Sequence, residues 1–154
     1  MHISGENFQQ LADVYLGLEV DFAFNPVIMK QPEKHIVLTN ILSAYNNPPL
    51  IFVYSHRINL LCEKLKYFCN PFTLISHNSD MNIEECNQDV QTILACPLLK
   101  RWWAQNLCFI HPKMHFLPIG IANTMWEHGN PEYYVHNSNV NKLYSIHNAN
   151  VNYF

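Results

Sequence analysis

Two strand-like runs dominate the hydrophobic pattern of the chain, a continuous apolar one at residues 50–54 (Leu-Ile-Phe-Val-Tyr) and a second, mostly apolar one at residues 72–76 (Phe-Thr-Leu-Ile-Ser). Runs rich in β-branched and aromatic residues, without polar alternation, suit strands covered on both faces, as in a parallel sheet. Between them Ile58, Leu61, Cys62, Leu65 and Phe68 recur at helical spacing, and Asn70-Pro71 stops the helix. Strand, helix, strand in that order predicts a βαβ unit with a right-handed crossover.

The flanking pattern extends this unit. Phe8, Leu11, Ala12, Tyr15 and Leu18 step by three and four, which predicts a first amphipathic helix with Ser4 as its cap. Asn25-Pro26 ends the segment that follows it, Pro32 to Lys34 forms a turn, and residues 35–39 read as a short strand. Further on, the pattern predicts a helix over 83–95 capped by Ser79 or Asp80, with Glu84 and Glu85 in its first turn, and a shorter helix over 98–104. A strand follows at 114–119, then a helix near 139–147 and a strand starting at Val151. The expected fold is α/β and Rossmann-like, a mostly parallel sheet flanked by helices. It forms one domain over 1–154, with an N-terminal helix and extended segment (1–34), a core (35–136) and an Asn-rich tail (137–154).

Composition narrows the function. The chain has 154 residues, 49% hydrophobic and only 14% charged, against about 25% charged in an average soluble protein. That excludes intrinsic disorder. A net charge of −3 excludes a basic nucleic-acid binder that works by neutralising phosphates. No apolar stretch approaches the ~20 residues of a membrane span, and residues 1–6 lack the marks of a signal peptide. Five cysteines at irregular spacing, without a Cys-x-x-Cys pair, read as buried free thiols in a reducing compartment. These features together predict a soluble cytoplasmic protein. The chain also carries 19 Asn and 9 His, an unusual share of uncharged polar groups.

Ligands of parallel sheets bind beyond the carboxyl ends of the strands. Three predicted strand ends are followed by polar clusters: Ser55-His56-Arg57, Ser76-His77-Asn78-Ser79-Asp80, and the stretch from Gly120 to Asn130 with Asn123, Trp126 and His128. Polar loop ends and helix caps account for some of these residues. His77 has the chemistry of a base or acid near neutral pH. Arg57 suits bidentate recognition of phosphate or carboxylate. Trp126, among amides and imidazoles, can stack on the apolar face of a sugar. Trp102 and Trp103, on the predicted short helix, cannot both face inward. A Ser-His-Asp triad lacks its Gly-x-Ser-x-Gly elbow, and no glycine-rich phosphate loop is present. Cys108-x-x-His111-x-x-x-His115 offers metal-type ligands without a clear fourth partner, so no metal or cofactor is expected.

Taken as a set, Ile75-Ser76-His77-Asn78-Ser79-Asp80, Trp103-Ala104-Gln105-Asn106, residues 117–123 (Leu-Pro-Ile-Gly-Ile-Ala-Asn) and Trp126-Glu127-His128-Gly129-Asn130 resemble exostosin-like glycosyltransferases, a family found in large DNA viruses and some microbes. The resemblance extends to residues 12–17 and Asp21-Phe22. It implies the N-terminal half of a two-Rossmann-domain (GT-B-type) transferase, the half that holds the acceptor. It also implies that the chain stops at the strand leading to the donor-binding half. Under this reading His77 or Asp80 deprotonates a hydroxyl acceptor, and Ser55, His56, Arg57, Asn78, Ser79, Gln105, Asn106, Gly120, Asn123, Trp126, His128 and Asn130 bind substrate. The partners implied are a nucleotide-sugar and a glycan or other hydroxyl acceptor. The alternative is a non-catalytic glycan- or nucleotide-binding module, or an assembly component pairing through its C-terminal edge.

Overall fold

A computed structural model describes residues 3–37 and 49–124, together with Trp126 and Gly129. Six strands form one sheet: β1 (Val14–Gly17), β2 (His35–Val37), β3 (Leu50–Tyr54), β4 (Phe72–His77), β5 (Leu99–Ala104) and β6 (Met114–Phe116). Their order is β2-β1-β3-β4-β5-β6 and every pairing is parallel. The protein therefore has the expected α/β, Rossmann-like architecture.

The helices are α1 (Gly5–Leu11), α2 (Glu19–Phe22), α3 (Pro26–Lys30), α4 (Ile58–Lys64) and α5 (Gln88–Ala95). Strand alternation divides the core between the two faces of the sheet. Val14, Leu16, Ile51, Val53, Leu74 and Trp102 pack with α4 and α5 residues Leu61, Val90 and Ile93. Tyr15, Phe52, Tyr54 and Ile75 pack on the other face with Phe8, Phe22 and Val27. The chain moves from β1 outward to β2, then returns to the far side of β1 and steps on through β3, β4 and β5. Because the direction reverses, the connecting helices must change face if each crossover is right-handed, and they do. The reversal puts a topological switch point between β1 and β3.

Several expectations are corrected. The first helix ends at Leu11; Ala12 is already extended (ψ 148°), and residues 14–17 are β1 rather than more helix. The Ser4 cap is present, its hydroxyl accepting from Asn7 N–H at 3.3 Å. Asn25-Pro26 does close the segment that holds α2, and it also starts a helix that was not expected, α3, whose cap is Asn25 with Oδ1 accepting from Val27 and Ile28 N–H. Residues 98–104 contain β5, not a helix. The register passes from Phe72 opposite Leu99 to Thr73 opposite Arg101, so Lys100 is an extra bulged residue. That bulge spaces the inward residues Leu99 and Trp102 by three, which imitates helical periodicity. Trp102 is fully buried, donating to Ser76 Oγ at 2.9 Å, while Trp103 faces the other side and stacks on His115.

The helix expected at 83–95 begins at Gln88. Its cap is Asn87, not Ser79 or Asp80, and Glu84 and Glu85 precede it. Cys69, Cys86 and Cys108 are exposed and Cys62 and Cys96 half-buried, so the free thiols are less buried than expected. The helix and strand expected at 139–147 and from 151 lie outside the described residues. Among the described residues no helix is long and apolar enough to cross a membrane.

Candidate functional site

A cleft of about 500 Å³ opens beyond the carboxyl ends of the strands, lined by Asp21, Tyr54, His56, His77, Asn78, Ser79, Asp80, Gln105, Asn123 and Trp126, with Gly5, Ile119, Ile121 and Ala122. Its position follows from topology: in a doubly wound sheet, the loops after β1 and β3 diverge at the switch point and leave a crevice. Three separate polar clusters predicted from sequence do converge here.

The β4 end forms the floor. His77 is 2% exposed and packs against Phe8 at 5.1 Å. Its Nε2 lies 3.1 Å from the Pro118 carbonyl and its Nδ1 2.9 Å from Asn78 Oδ1; both oxygens are acceptors, so a neutral imidazole donates to one of them only. Asn78 adopts a left-handed conformation (φ 58°), as does Asn106 (φ 52°); Asn tolerates that region better than most residues. Gly5 is required beside them, since a Cβ there would stand 1.4 Å from Asn78 Oδ1.

Gln105 is 4% exposed and pins this loop. Its Oε1 accepts from Asn78 N–H at 2.9 Å and its Nε2 donates to the Ser79 carbonyl at 3.0 Å. Asn106 Nδ2 donates to the same carbonyl at 3.2 Å, and Ser79 Oγ accepts from Met81 N–H. These amides hold the loop in shape. Asp80 stands exposed on the rim with no hydrogen bond or ion pair among the described residues.

The wall after β6 is clasped to the chain start. Ile121 N–H donates to the Ile3 carbonyl at 2.8 Å, and Gly120 (φ 73°) leaves no room for a Cβ, which would meet that carbonyl at 2.2 Å. Asn123 Oδ1 accepts from Glu6 N–H at 3.0 Å. The buried Glu6 carboxylate accepts from Thr124 N–H and Oγ1. Gly120 and Asn123 thus build the wall. Trp126 is 55% exposed over the cleft.

The corner at the switch point changes the sequence-based picture most. Arg57, expected to meet phosphate, forms a bidentate pair with Asp21, Nε to Oδ2 at 2.8 Å and Nη2 to Oδ1 at 2.6 Å. Asp21 also accepts from Leu18 N–H at 3.1 Å, and His56 Nε2 lies 3.4 Å from its Oδ1. Burial by itself would raise the Asp21 carboxyl, but the donors Arg57, Leu18 N–H and His56 outweigh it and hold the group below its ordinary value. The His56 ring stacks on Tyr54 at 5.4 Å. Burial pushes the Tyr54 hydroxyl pKa up, although the Asn25 amide bonds it at 2.9 Å. Ser55 is fully buried, does not line the cleft, and its hydroxyl has no partner among the described residues.

Sequence reasoning did not single out Asp21, Tyr54, Gly5 or Glu6 as site residues. Asp21 was hidden because residues 14–17 read as helix, so no strand end pointed to it. His128 and Asn130 lie outside the described residues. The Cys108, His111 and His115 set does not assemble: His111 Nδ1 accepts from Lys113 N–H, His115 stacks on Trp103, and Cys108 turns to the Asn106 carbonyl. No metal-ligand cluster forms among the described residues.

The fold and cleft define a doubly wound parallel α/β protein with a polar site at its switch point. Compared with family models, curated proteins and solved structures, the chain matches none.

Proposed function

We propose that the cleft binds the hydroxyl-bearing acceptor, a neutral sugar, in a glycosyltransferase-like protein. The observation that carries this reading is that Arg57 does not line the cleft and is paired with Asp21, which does, while the rest of the cleft is walled by amides, imidazoles, a carboxylate and an indole. The cation best placed for phosphate is already neutralised, which favours an uncharged polyhydroxyl ligand over a diphosphate. Asp80 accepts from sugar hydroxyls and Trp126 covers an apolar sugar face. The motif resemblance to exostosin-like transferases supports the same assignment, and nucleotide-sugar would then be held elsewhere.

A second reading, glycan binding without turnover, is favoured by the same Arg57–Asp21 pair, because it leaves the donor diphosphate without that cation. Calorimetric titration with neutral oligosaccharides and with uridine diphosphate separates ligand classes. Sugar binding weakened about tenfold in Asp80→Asn or Trp126→Ala, equivalent to ~1.4 kcal/mol, supports the acceptor reading. Tight uridine diphosphate binding with no sugar binding overturns it. Release of nucleoside diphosphate from a nucleotide-sugar in the presence of a bound acceptor then separates transferase from binding module.

A further inference from the structure

We propose that His56, oriented by Asp21, is the general base of the cleft; this deepens the acceptor reading and rests on it. The imidazole is fixed on two sides. Its ring lies nearly parallel to Tyr54, with an interplanar angle of 19°, and Tyr54 is itself anchored by Asn25 Nδ2. Its Nε2 faces Asp21 Oδ1 at 3.4 Å. That carboxylate cannot swing away, because Arg57 and Leu18 N–H hold both of its oxygens. An ionised carboxylate accepts a hydrogen bond only, so it selects the tautomer with the proton on Nε2.

Nδ1 is then a lone-pair acceptor, and it has no protein partner among the described residues. The His56 side chain is 42% exposed and lines the same cleft as Asp80 and Trp126. A cleft-lining histidine with one nitrogen on a fixed carboxylate and the other without a protein partner among the described residues has the arrangement of an activating base. His77 lacks it, since it is 2% exposed and each of its nitrogens lies against a protein oxygen, the Pro118 carbonyl or Asn78 Oδ1. Asp21 is a positioning residue, and the 3.4 Å separation is of the kind that tightens when substrate binds.

In the reaction, the acceptor hydroxyl proton passes to His56 Nδ1. The oxygen forms a bond to the anomeric carbon of a nucleoside diphosphate sugar, and the bond from that carbon to the phosphate oxygen breaks. The electron pair leaves on the diphosphate, and Asp21 faces the imidazolium that results.

Long-range proton–nitrogen NMR of the full chain, labelled at histidine nitrogens, reads the tautomer directly. His56 is expected as the Nε2–H form, shifting toward a mixture in Asp21→Asn while the melting transition persists. Titration with methyl glucoside, galactose, mannose and xylose should move His56 Nδ1 more than either nitrogen of His77. A resting Nδ1–H tautomer overturns the base without touching the acceptor reading. So does a sugar that binds the cleft and leaves His56 Nδ1 unmoved. Where a bound sugar is consumed with a uridine or guanosine diphosphate sugar, His56→Gln should lower the rate by roughly 10²–10⁴-fold and binding by less than about threefold. Sugar binding with no donor consumed also overturns the base, and failure of every sugar to bind removes both the base and the acceptor reading.

Discussion

Gly5 shows how tightly a single residue is tied to the cleft. Its Cα packs against Asn78 and His77, and a methyl group there would stand 2.9 Å from His77 Nδ1 and still closer to Asn78. Gly5→Ala is expected to displace the Asn78 amide and cost about 1–3 kcal/mol by overpacking, read as a lowered urea midpoint together with weaker sugar binding. Cys62 acts on stability through protonation. Burial, and next the Asp89 charge, pushes its thiol from an ordinary 9.0 up to about 12. The unfolded thiol loses its proton near pH 9 while the folded one keeps it, so stability falls as pH rises from there toward 12. Tyr15 repeats the effect from 10.0 to about 12, through burial and the Glu33 charge. In urea melts across pH 8–11, Cys62→Ala should flatten the onset above pH 9, with the decline above pH 10 remaining.

At the scale of elements, Asn25 links a helix cap to the site. Its Oδ1 accepts from Val27 and Ile28 N–H, and its Nδ2 donates to Gln9 Oε1 and the Tyr54 hydroxyl. Asn25→Ala is expected to cost about 2 kcal/mol, the upper end for a lost cap, because it also leaves a buried hydroxyl and amide short of a partner. Chemical denaturation checks this; a change under 0.5 kcal/mol, well below that ~1 kcal/mol typical of a cap, would contradict it. What the pattern revealed among these elements has a physical basis. β3 and β4 are legible because burial on both faces writes itself as a run that is wholly apolar in β3 and mostly apolar in β4. β1 and β5 are not. β1 follows α1 so closely that Ala12 and Tyr15 continue the helical spacing, and the Lys100 bulge breaks the two-residue period of β5. The rim clusters after β3 and β4 were legible as chemistry. The roles of Arg57 and Asp21 were not, because a pairing across 36 residues is set by tertiary contact.

For the whole molecule, the reversal of strand order between β1 and β3 explains why the cleft is where it is, and why residues as distant as Asp21, His56, Asp80 and Trp126 share it. The clasp between residues 3–6 and 120–124 closes the same cleft from the other side. The site is thus a property of the complete sheet. The central claim, that this cleft receives a neutral sugar, is tested most directly by backbone and indole NMR shifts of the full chain during titration with neutral monosaccharides and short glycans. Saturable shifts gathered on Tyr54, His56, Asn78, Asp80 and the Trp126 indole are the predicted result. Saturable shifts confined to residues away from the cleft, or no saturable shift with any sugar, would contradict the account.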